Sequence, residues 1–131
     1  YTEVNWVIGV PGETDDDCVE GVEFIIENKK YIGRIANINP LIMVNGSVYW
    51  IDPESHGIRF NGDKEKILEQ NERTVPSSKW YSIDPYIDAK VRKRRFEKIV
   101  YDLVDSGFEM GPWAMKIYDQ VKSNRDKARA G

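Results

Sequence analysis

A turn rich in glycine and proline at residues 9–14 constrains the fold of this chain most strongly, because it separates a strand-like run from a helix. Residues 4–10 form a short apolar run rich in β-branched side chains, which predicts a strand buried on both faces. Thr14 is the expected N-cap, and apolar residues then recur at helical spacing over about residues 15–29. The segment therefore predicts a strand, a tight turn and a helix in succession.

A second strand is expected after this helix. Residues 34–39 partly alternate between apolar and polar side chains, and the run continues through Pro40 to Val44. Strand, helix and strand within about forty residues form a βαβ unit, whose two strands are parallel. The expected fold class is therefore α/β, with a parallel βαβ unit, a long loop region and then two C-terminal helices.

Turn-forming and aromatic residues dominate residues 45–82, which we interpret as the long loop region. Within it, the pattern predicts a short hairpin around residues 58–60 and a short helix near residues 64–70. The region should therefore contain little regular structure.

Two helices are expected after the loop region. Asp84 as N-cap and Pro85 at the first helical position predict the start of a long helix that ends at residues 106–107. A final helix should begin near Pro112 and fade into the polar residues 123–127. The stripe expected to turn the long helix towards the core consists of Ile87, Val91, Ile99, Leu103 and Val104.

Charge and cysteine content narrow the function classes. A net charge of −3 argues against sequence-independent electrostatic binding of nucleic acid, although residues 90–95 form one basic run. No apolar run approaches the roughly 20 residues of a membrane helix. The single cysteine, Cys18, excludes an internal disulfide, and we expect a cytoplasmic protein.

The turn at residues 9–14 is the first candidate for a ligand site. Its glycines allow close approach to the backbone, and the start of the helix presents N–H groups at the edge where parallel sheets bind ligands. Many such turns bind nothing, so local physics leaves a structural and a binding role equally open. One alternative is therefore a small α/β module that holds a nucleotide or phosphate, although the Walker and Rossmann patterns are absent.

The wider sequence around the turn resembles a known family. The string over residues 7–17, together with residues 38–41 and 46–49, is similar to the late barrel of radical S-adenosylmethionine (SAM) enzymes. The likeness is greatest to the cobalamin-associated Fe–S oxidoreductases, which include the anaerobic magnesium-protoporphyrin cyclase and the methylthiotransferases. In them a Gly-Pro-Gly-Glu turn follows the fifth strand, and a Pro-Gly-Ser or Pro-Gly-Thr turn followed by a tyrosine comes after the sixth. The resemblance is strong over residues 4–60.

The resemblance implies a partial βα-barrel fragment. Residues 1–60 would be late barrel strands with their crossover helix, and residues 61–131 a loop and helical region packed on them. Because the chain opens at Tyr1 almost directly in a strand, we expect the N-terminal half of the parent chain to precede it. The implied cofactors of the intact parent are SAM and a [4Fe–4S] cluster, with cobalamin a further candidate, and the implied ligand is a small-molecule substrate. The residues that would form the SAM adenine pocket are Ile8, Gly9, Pro11, Gly12, Glu13, Asn39, Pro40 and Leu41.

Two departures from the family pattern limit what this chain can do. Asn45 stands where the family commonly has the proline of its second turn. The Cys-x-x-x-Cys-x-x-Cys triad that holds the cluster is absent, and Cys18 cannot replace it, since a cluster needs several thiolates. We therefore expect no catalytic residue and no tightly bound cofactor in this chain alone.

Other conspicuous residues have structural explanations that outweigh functional ones. Consecutive helical residues splay by about 100°, so residues 15–17 should complement the helix dipole rather than bind a metal. Cys18 lies on the apolar stripe and should be buried, and His56 should sit in a loop turn. The basic run at residues 90–95 should be a solvated helix face with Val91 turned inward.

A third possibility is a protein-interaction domain acting through the basic helix and exposed aromatic residues. Trp50 and Trp80, flanked by turns, are the best candidates for a substrate-side or interdomain role. Half a barrel would also leave sheet edges unpaired, and a homodimer of the fragment could cover them.

Overall fold

The computed structural model describes residues 2–71 and 73–130, which form a mixed α/β structure with five α-helices and three two-stranded sheets. The α/β class expected from the sequence is therefore confirmed. In chain order the elements are β1 (Thr2–Ile8), α1 (Asp15–Glu27), β2 (Ile32–Pro40), β3 (Met43–Val44), α2 (Val48–Ile51), β4 (Ile58–Phe60), α3 (Lys64–Gln70), β5 (Thr74–Val75), β6 (Trp80–Ser82), α4 (Ala89–Asp105) and α5 (Pro112–Ala130).

The predicted βαβ unit is present. Strands β1 and β2 pair in parallel, and helix α1 connects them. Thr14 caps α1 as expected: its hydroxyl accepts the Asp17 N–H at 3.0 Å, and the Asp17 carboxylate accepts the Thr14 N–H at 2.9 Å. The second strand ends at Pro40 rather than at Val44, because β1 ends at Ile8 and offers no partner farther along. Val44 instead belongs to β3, which pairs antiparallel with β5.

Helices α1, α4 and α5 cover only one face of the β1–β2 sheet. Ile8 and Ile38 face these helices, with 0% and 5% of their surface exposed. On the opposite face Val7 is 49% exposed and Asn5 is exposed, so the expectation of a strand buried on both faces was wrong. Within the described ranges, no element covers that face. The main core consists of Ile8, Cys18, Val22, Ile25, Ile35, Ile38, Phe96, Ile99, Val100, Leu103, Phe108, Met110 and Ala114.

A second, smaller core lies within residues 43–80, most of which the sequence predicts as loop. Helix α3 forms where expected, but β4 pairs with β6 instead of forming a local hairpin. Trp50 and Trp80 are 8% and 1% exposed, so their rings lie in this core and are not presented for the expected substrate-side or interdomain role. Both indole rings supply core area, and Lys64 caps the Trp50 carbonyl while lying 4.5 Å from that ring's centroid. The second core contains residues on both sides of residue 60, where the sequence analysis divides the barrel strands from the loop and helical region.

Helix α4 begins later than the sequence predicts. Ser82 and Ile87 exchange two backbone hydrogen bonds of 2.9 Å, which holds the intervening residues in a loop rather than a helical turn. Asp88 is the observed N-cap, since its Oδ1 accepts the Val91 N–H at 2.9 Å. The expected start at Asp84 and Pro85 was therefore wrong by about one turn of helix.

Helix α5 begins at Pro112 as predicted, but it continues to Ala130 instead of fading earlier. Its contact with α4 includes a stack of Tyr118 on Tyr101, with ring centroids 5.3 Å apart, and Arg125 lies 3.9 Å from the Tyr101 centroid. These side-chain contacts stabilise the C-terminal part of α5, although its residues are mostly polar. No helix in the described ranges has an apolar stretch long enough to cross a membrane.

Candidate functional site

The carboxyl ends of β1 and β2 bring together residues from both turns that the resemblance singles out. Ile8 is opposite Pro40 in the parallel register, and the Leu41 N–H donates to the Ile8 carbonyl at 2.7 Å. Val7 is paired with Asn39 one step earlier. The two strand ends therefore form one continuous edge, where ligands of parallel sheets commonly bind.

The side chains at this edge point in different directions. Ile8 is fully buried in the main core, so only its backbone faces the edge, whereas Asn39, Pro40 and Leu41 are half-buried. The exposed Val7 is the β1 side chain that the uncovered face presents. Sequence reasoning did not select Val7, although strict alternation along the strand would have separated it from Ile8.

The turn after β1 is closed by its own glutamate. The Gly9 N–H donates to both carboxylate oxygens of Glu13, at 3.0 and 3.1 Å, and the Glu13 N–H donates to the Val10 carbonyl at 3.1 Å. Gly9 and Gly12 adopt φ values of 88° and 90°, which side-chain-bearing residues rarely occupy. Pro11 is half-buried and Gly12 is exposed, so the outer part of the turn remains accessible.

Arg95 of α4 holds the Glu13 carboxylate in place. Its Nη1 donates to the Glu13 carbonyl at 3.0 Å and to Oε1 at 3.1 Å, while its Nε donates to Asp15 Oδ1 at 2.8 Å. Glu13 and Arg95 are only 8% and 6% exposed, so this ion pair lies largely out of water. The hydrogen bond from Arg95 lowers the pKa of Asp15, and the positive charge of Arg94 adds to this effect.

Arg92 supports the same turn from the helix side. A Cβ placed on Gly9 would lie 2.5 Å from the Arg92 Cγ, so α4 packs directly against the Gly9 backbone. The Arg92 guanidinium lies 3.7 Å from the Trp80 ring centroid and donates to the Trp80 carbonyl at 3.0 Å and the Ser77 carbonyl at 2.8 Å. Burial lowers the pKa of Arg92 to about 10, which leaves it protonated at neutral pH. Arg92 thereby joins the turn to the second core.

The prediction of a solvated helix face with most of its charges outward holds for only part of the basic run, because these two arginines are buried. Lys90, Lys93 and Arg94 are exposed as expected, but Arg92 and Arg95 are 1% and 6% exposed. A sequence signal was available, because residues 92, 95, 96, 99 and 103 follow one another at helical spacing on the buried stripe. Because Arg92 and Arg95 are charged, the sequence analysis did not assign them to this buried stripe.

Cys18 is buried, as predicted, and its thiol donates to Glu13 Oε1 at 3.3 Å. Burial, followed by this hydrogen bond and the negative charge of Glu13, raises the pKa of the thiol from 9.0 to about 12. A thiol with this pKa is neutral at physiological pH and is a poor nucleophile and metal ligand.

This pKa shift predicts a pH-dependent contribution to stability. Because the folded-state pKa exceeds the unfolded one, the contribution is fully present below pH 9.0 and is lost as the pH rises towards about 12. We expect the difference in unfolding free energy between the native chain and Cys18→Ala to shrink across that window. Urea unfolding of both chains at several pH values measures it, and a constant difference would contradict the assigned shift.

The uncovered face of the β1–β2 sheet is polar near this edge. Asn37 Nδ2 donates to Asn5 Oδ1 at 3.0 Å, which links the two strands across the exposed face. Asn39 follows on β2, beside Val7 of β1. Near this edge the face therefore presents amide groups that donate and accept hydrogen bonds.

The remaining sequence candidates lie away from this edge. His56 is in a short 3₁₀ turn, half-buried, and its ring packs edge-on against Tyr49 at 4.9 Å. The acidic residues 15–17 occupy the first turn of α1, where they complement the helix dipole. Within residues 2–71 and 73–130, no three His, Cys, Asp or Glu side chains converge as metal ligands.

No family model, curated protein or solved structure matches the chain.

Proposed function

We propose that this chain is the late part of a radical SAM barrel, and that it contributes part of the SAM adenine pocket and of the substrate enclosure. The parent would be a cobalamin-associated Fe–S oxidoreductase that acts on a small molecule. In this proposal the chain helps to bind SAM and to enclose the substrate, whereas the missing N-terminal half of the parent holds the cluster.

The one-sided sheet is the observation that carries the proposal. All three packed helices lie on one face of β1 and β2, and the other face carries Asn5 and Asn37, joined by their amides. A doubly wound sheet would need helices on both faces and apolar side chains there. A βα barrel instead places its helices outside, and the inner face towards its mouth can be polar because ligands bind there. The asymmetry of this sheet supports the second arrangement.

The chemistry of the edge fits a binding role for SAM. Val7, Val10 and Leu41 offer apolar surface beside the amide of Asn39, which suits a flat heterocycle with hydrogen-bonding edges. When bound, SAM supplies the carbon–sulfur bond that the family cleaves reductively. The Glu13 carboxylate is engaged by the Gly9 N–H and by Arg95. Its role is to hold the turn in shape.

The described residues do not fit a [4Fe–4S] cluster. Cys18 is the one cysteine of the chain, and its buried thiol is protonated and bound to Glu13. Since clusters are held by several thiolates, their ligands would have to come from the rest of the parent.

Two observations weigh against the alternative, a phosphate-binding module. The Gly9 N–H, which a phosphate would need, is already bonded to Glu13. Residues 15–17 also place three carboxylates at the start of α1, where they would repel an anion.

Ligand titration followed by NMR tests the binding role. We expect millimolar SAM to shift the backbone amide signals of Val10, Asn39 and Leu41, because these lie at the shared strand edge. Asn39→Ala should weaken the effect several-fold, whereas Asn61→Ala, in the loop after β4, should leave it unchanged. Shifts produced by ATP but not by SAM would favour the phosphate module instead.

The parent gene provides an independent check. A Cys-x-x-x-Cys-x-x-Cys motif should be encoded within about 150–200 residues upstream of Tyr1, one domain's length. Its absence from a complete upstream reading frame would refute the radical SAM assignment.

A further inference from the structure

The shared strand edge lies at the boundary between the two cores. On one side Ile8, the last residue of β1, belongs to the main core, and the Gly9 turn follows it. On the other side Leu41, the first residue after β2, packs against the second core. The Leu41 N–H donates to the Ile8 carbonyl, which joins the two sides. The shape of the edge therefore depends on how the two cores are placed relative to each other.

Arg92 of α4 reaches across this boundary. Its aliphatic stem packs against the Gly9 backbone, where an added Cβ would lie 2.5 Å from Cγ and 2.9 Å from Cδ. Its guanidinium lies 3.7 Å from the centroid of the Trp80 ring, which belongs to the second core. The same group donates to the Ser77 carbonyl at 2.8 Å and to the Trp80 carbonyl at 3.0 Å. These contacts, which we call the Arg92 link, run from the turn to the second core.

The Arg92 link is an energetically costly way to join two cores. Arg92 is 1% exposed, and no carboxylate among the side chains that the structure describes forms a salt bridge with it. Within the same part of the chain, its Nε and the Trp80 Nε1 are buried without a hydrogen-bond partner. An apolar side chain could join two cores without burying a cation or these donors. Local costs of this kind are typical of functional sites.

We infer that Arg92 is a positioning residue for ligand binding at the shared strand edge. It fixes the Gly9 turn relative to the second core, and thereby keeps Val10 and Leu41 at the spacing that a ligand between the two strand ends requires. This role rests on the proposed function, which assigns SAM to that edge. A guanidinium suits the role, because its rigid, planar set of donors holds several carbonyls in one arrangement, whereas a lysine ammonium rotates on a flexible stem.

Hydrogen exchange of the ligand-free chain tests the positioning itself. The Leu41 amide reports on the edge, because its bond to Ile8 joins the two strand ends, and the amide of Val22, in the middle of α1, reports on the main core. We expect Arg92→Met to accelerate exchange at Leu41 about tenfold or more relative to Val22, since the second core then moves more freely against the turn. Equal acceleration of both amides would overturn the proposal, because Arg92 would then stabilise the fold as a whole.

Ligand affinity is the readout that a general loss of stability does not change. In the NMR titration with SAM, Arg92→Met should raise the dissociation constant of the folded chain about tenfold or more. Arg92→Lys keeps the charge but loses the planar set of donors, so it should recover only part of the affinity. A native dissociation constant in Arg92→Met would show that the edge does not need the Arg92 link.

Two variants on the same helix serve as matched controls. Ile99→Ala removes a side chain of the main core that is 2% exposed, so it should lower overall stability without weakening SAM binding or raising the exchange ratio of Leu41 to Val22. Arg94→Met makes the same substitution as Arg92→Met at an exposed arginine, and it should change neither quantity.

The controls also separate this inference from the proposed function. If Ile99→Ala weakened SAM binding as much as Arg92→Met, the effect would be one of general stability, and the positioning role would be refuted. If the native chain did not bind SAM, the proposed function would fall, and the exchange ratio alone would then decide whether Arg92 positions the edge.

Discussion

Replacing Arg95 with methionine should lower the free energy of unfolding by about 3–5 kcal/mol, the cost of breaking a buried ion pair by removing one partner. The substitution leaves the Glu13 carboxylate, 8% exposed, without its cation, and it also removes the donor to the Glu13 carbonyl. Methionine fills similar space, so the loss measures charge and hydrogen bonding more than volume. Urea unfolding followed by tryptophan fluorescence and far-UV circular dichroism measures the effect.

Arg94→Met is the matched control, because it makes the same change one residue earlier on the same helix. Arg94 is 59% exposed and pairs with the exposed Asp15, so its loss should cost about 0–1 kcal/mol. Adding Glu13→Gln to Arg95→Met removes the stranded charge and should recover part of the stability. If Arg95→Met were no more destabilising than Arg94→Met, the pair with Glu13 would not be a structural ion pair.

Gly9→Ala should be the second large effect, with a loss of about 2–5 kcal/mol. Its φ of 88° disfavours any side chain by about 1–2 kcal/mol, and the new Cβ would lie 2.5 Å from the Arg92 Cγ. Arg92 cannot move aside easily, because its guanidinium is bonded to the carbonyls of Ser77 and Trp80. Overpacking of this kind adds about 1–3 kcal/mol.

Gly12→Ala separates the two causes, since Gly12 has nearly the same φ, 90°, but no atom within 4 Å of the added Cβ. It should cost only the conformational part, about 1–2 kcal/mol. The difference between the two variants in urea unfolding then measures the contact between the turn and α4. Equal losses of unfolding free energy in the two variants would show that α4 shifts to accommodate the methyl group at residue 9.

Local signals were sufficient for the elements near the turn. The Gly-Val-Pro-Gly turn at residues 9–12, the Thr14 cap and the apolar runs act within a few residues, and the strand, the helix and the parallel second strand formed as predicted. The same local rules failed at Asp84 and Pro85. There the backbone bonds between Ser82 and Ile87 impose a loop that residue preferences do not reveal.

The candidate site was predicted less completely than the elements around it. The sequence placed the Gly9 turn at the end of the first strand, but the parallel register is what brings Pro40 and Leu41 to the same edge. It could not show that Glu13 is engaged with Gly9, or that Ile8 faces the core while Val7 faces the open side. These depend on which face of the sheet the helices cover.

The sequence by itself determined the α/β class, the βαβ unit and the burial of Cys18, because each depends on spacing within one or two neighbouring segments. Only the tertiary structure decided that Arg92 and Arg95 are buried. Arg95 lies 82 residues from Glu13 along the chain, and a charged side chain is buried only where distant groups neutralise it and accept its hydrogen bonds. A basic run contains no local pattern that shows whether distant acceptors will be available. The sequence alone therefore predicts a solvated face, and only the contact between the turn and α4 shows that the two arginines are buried.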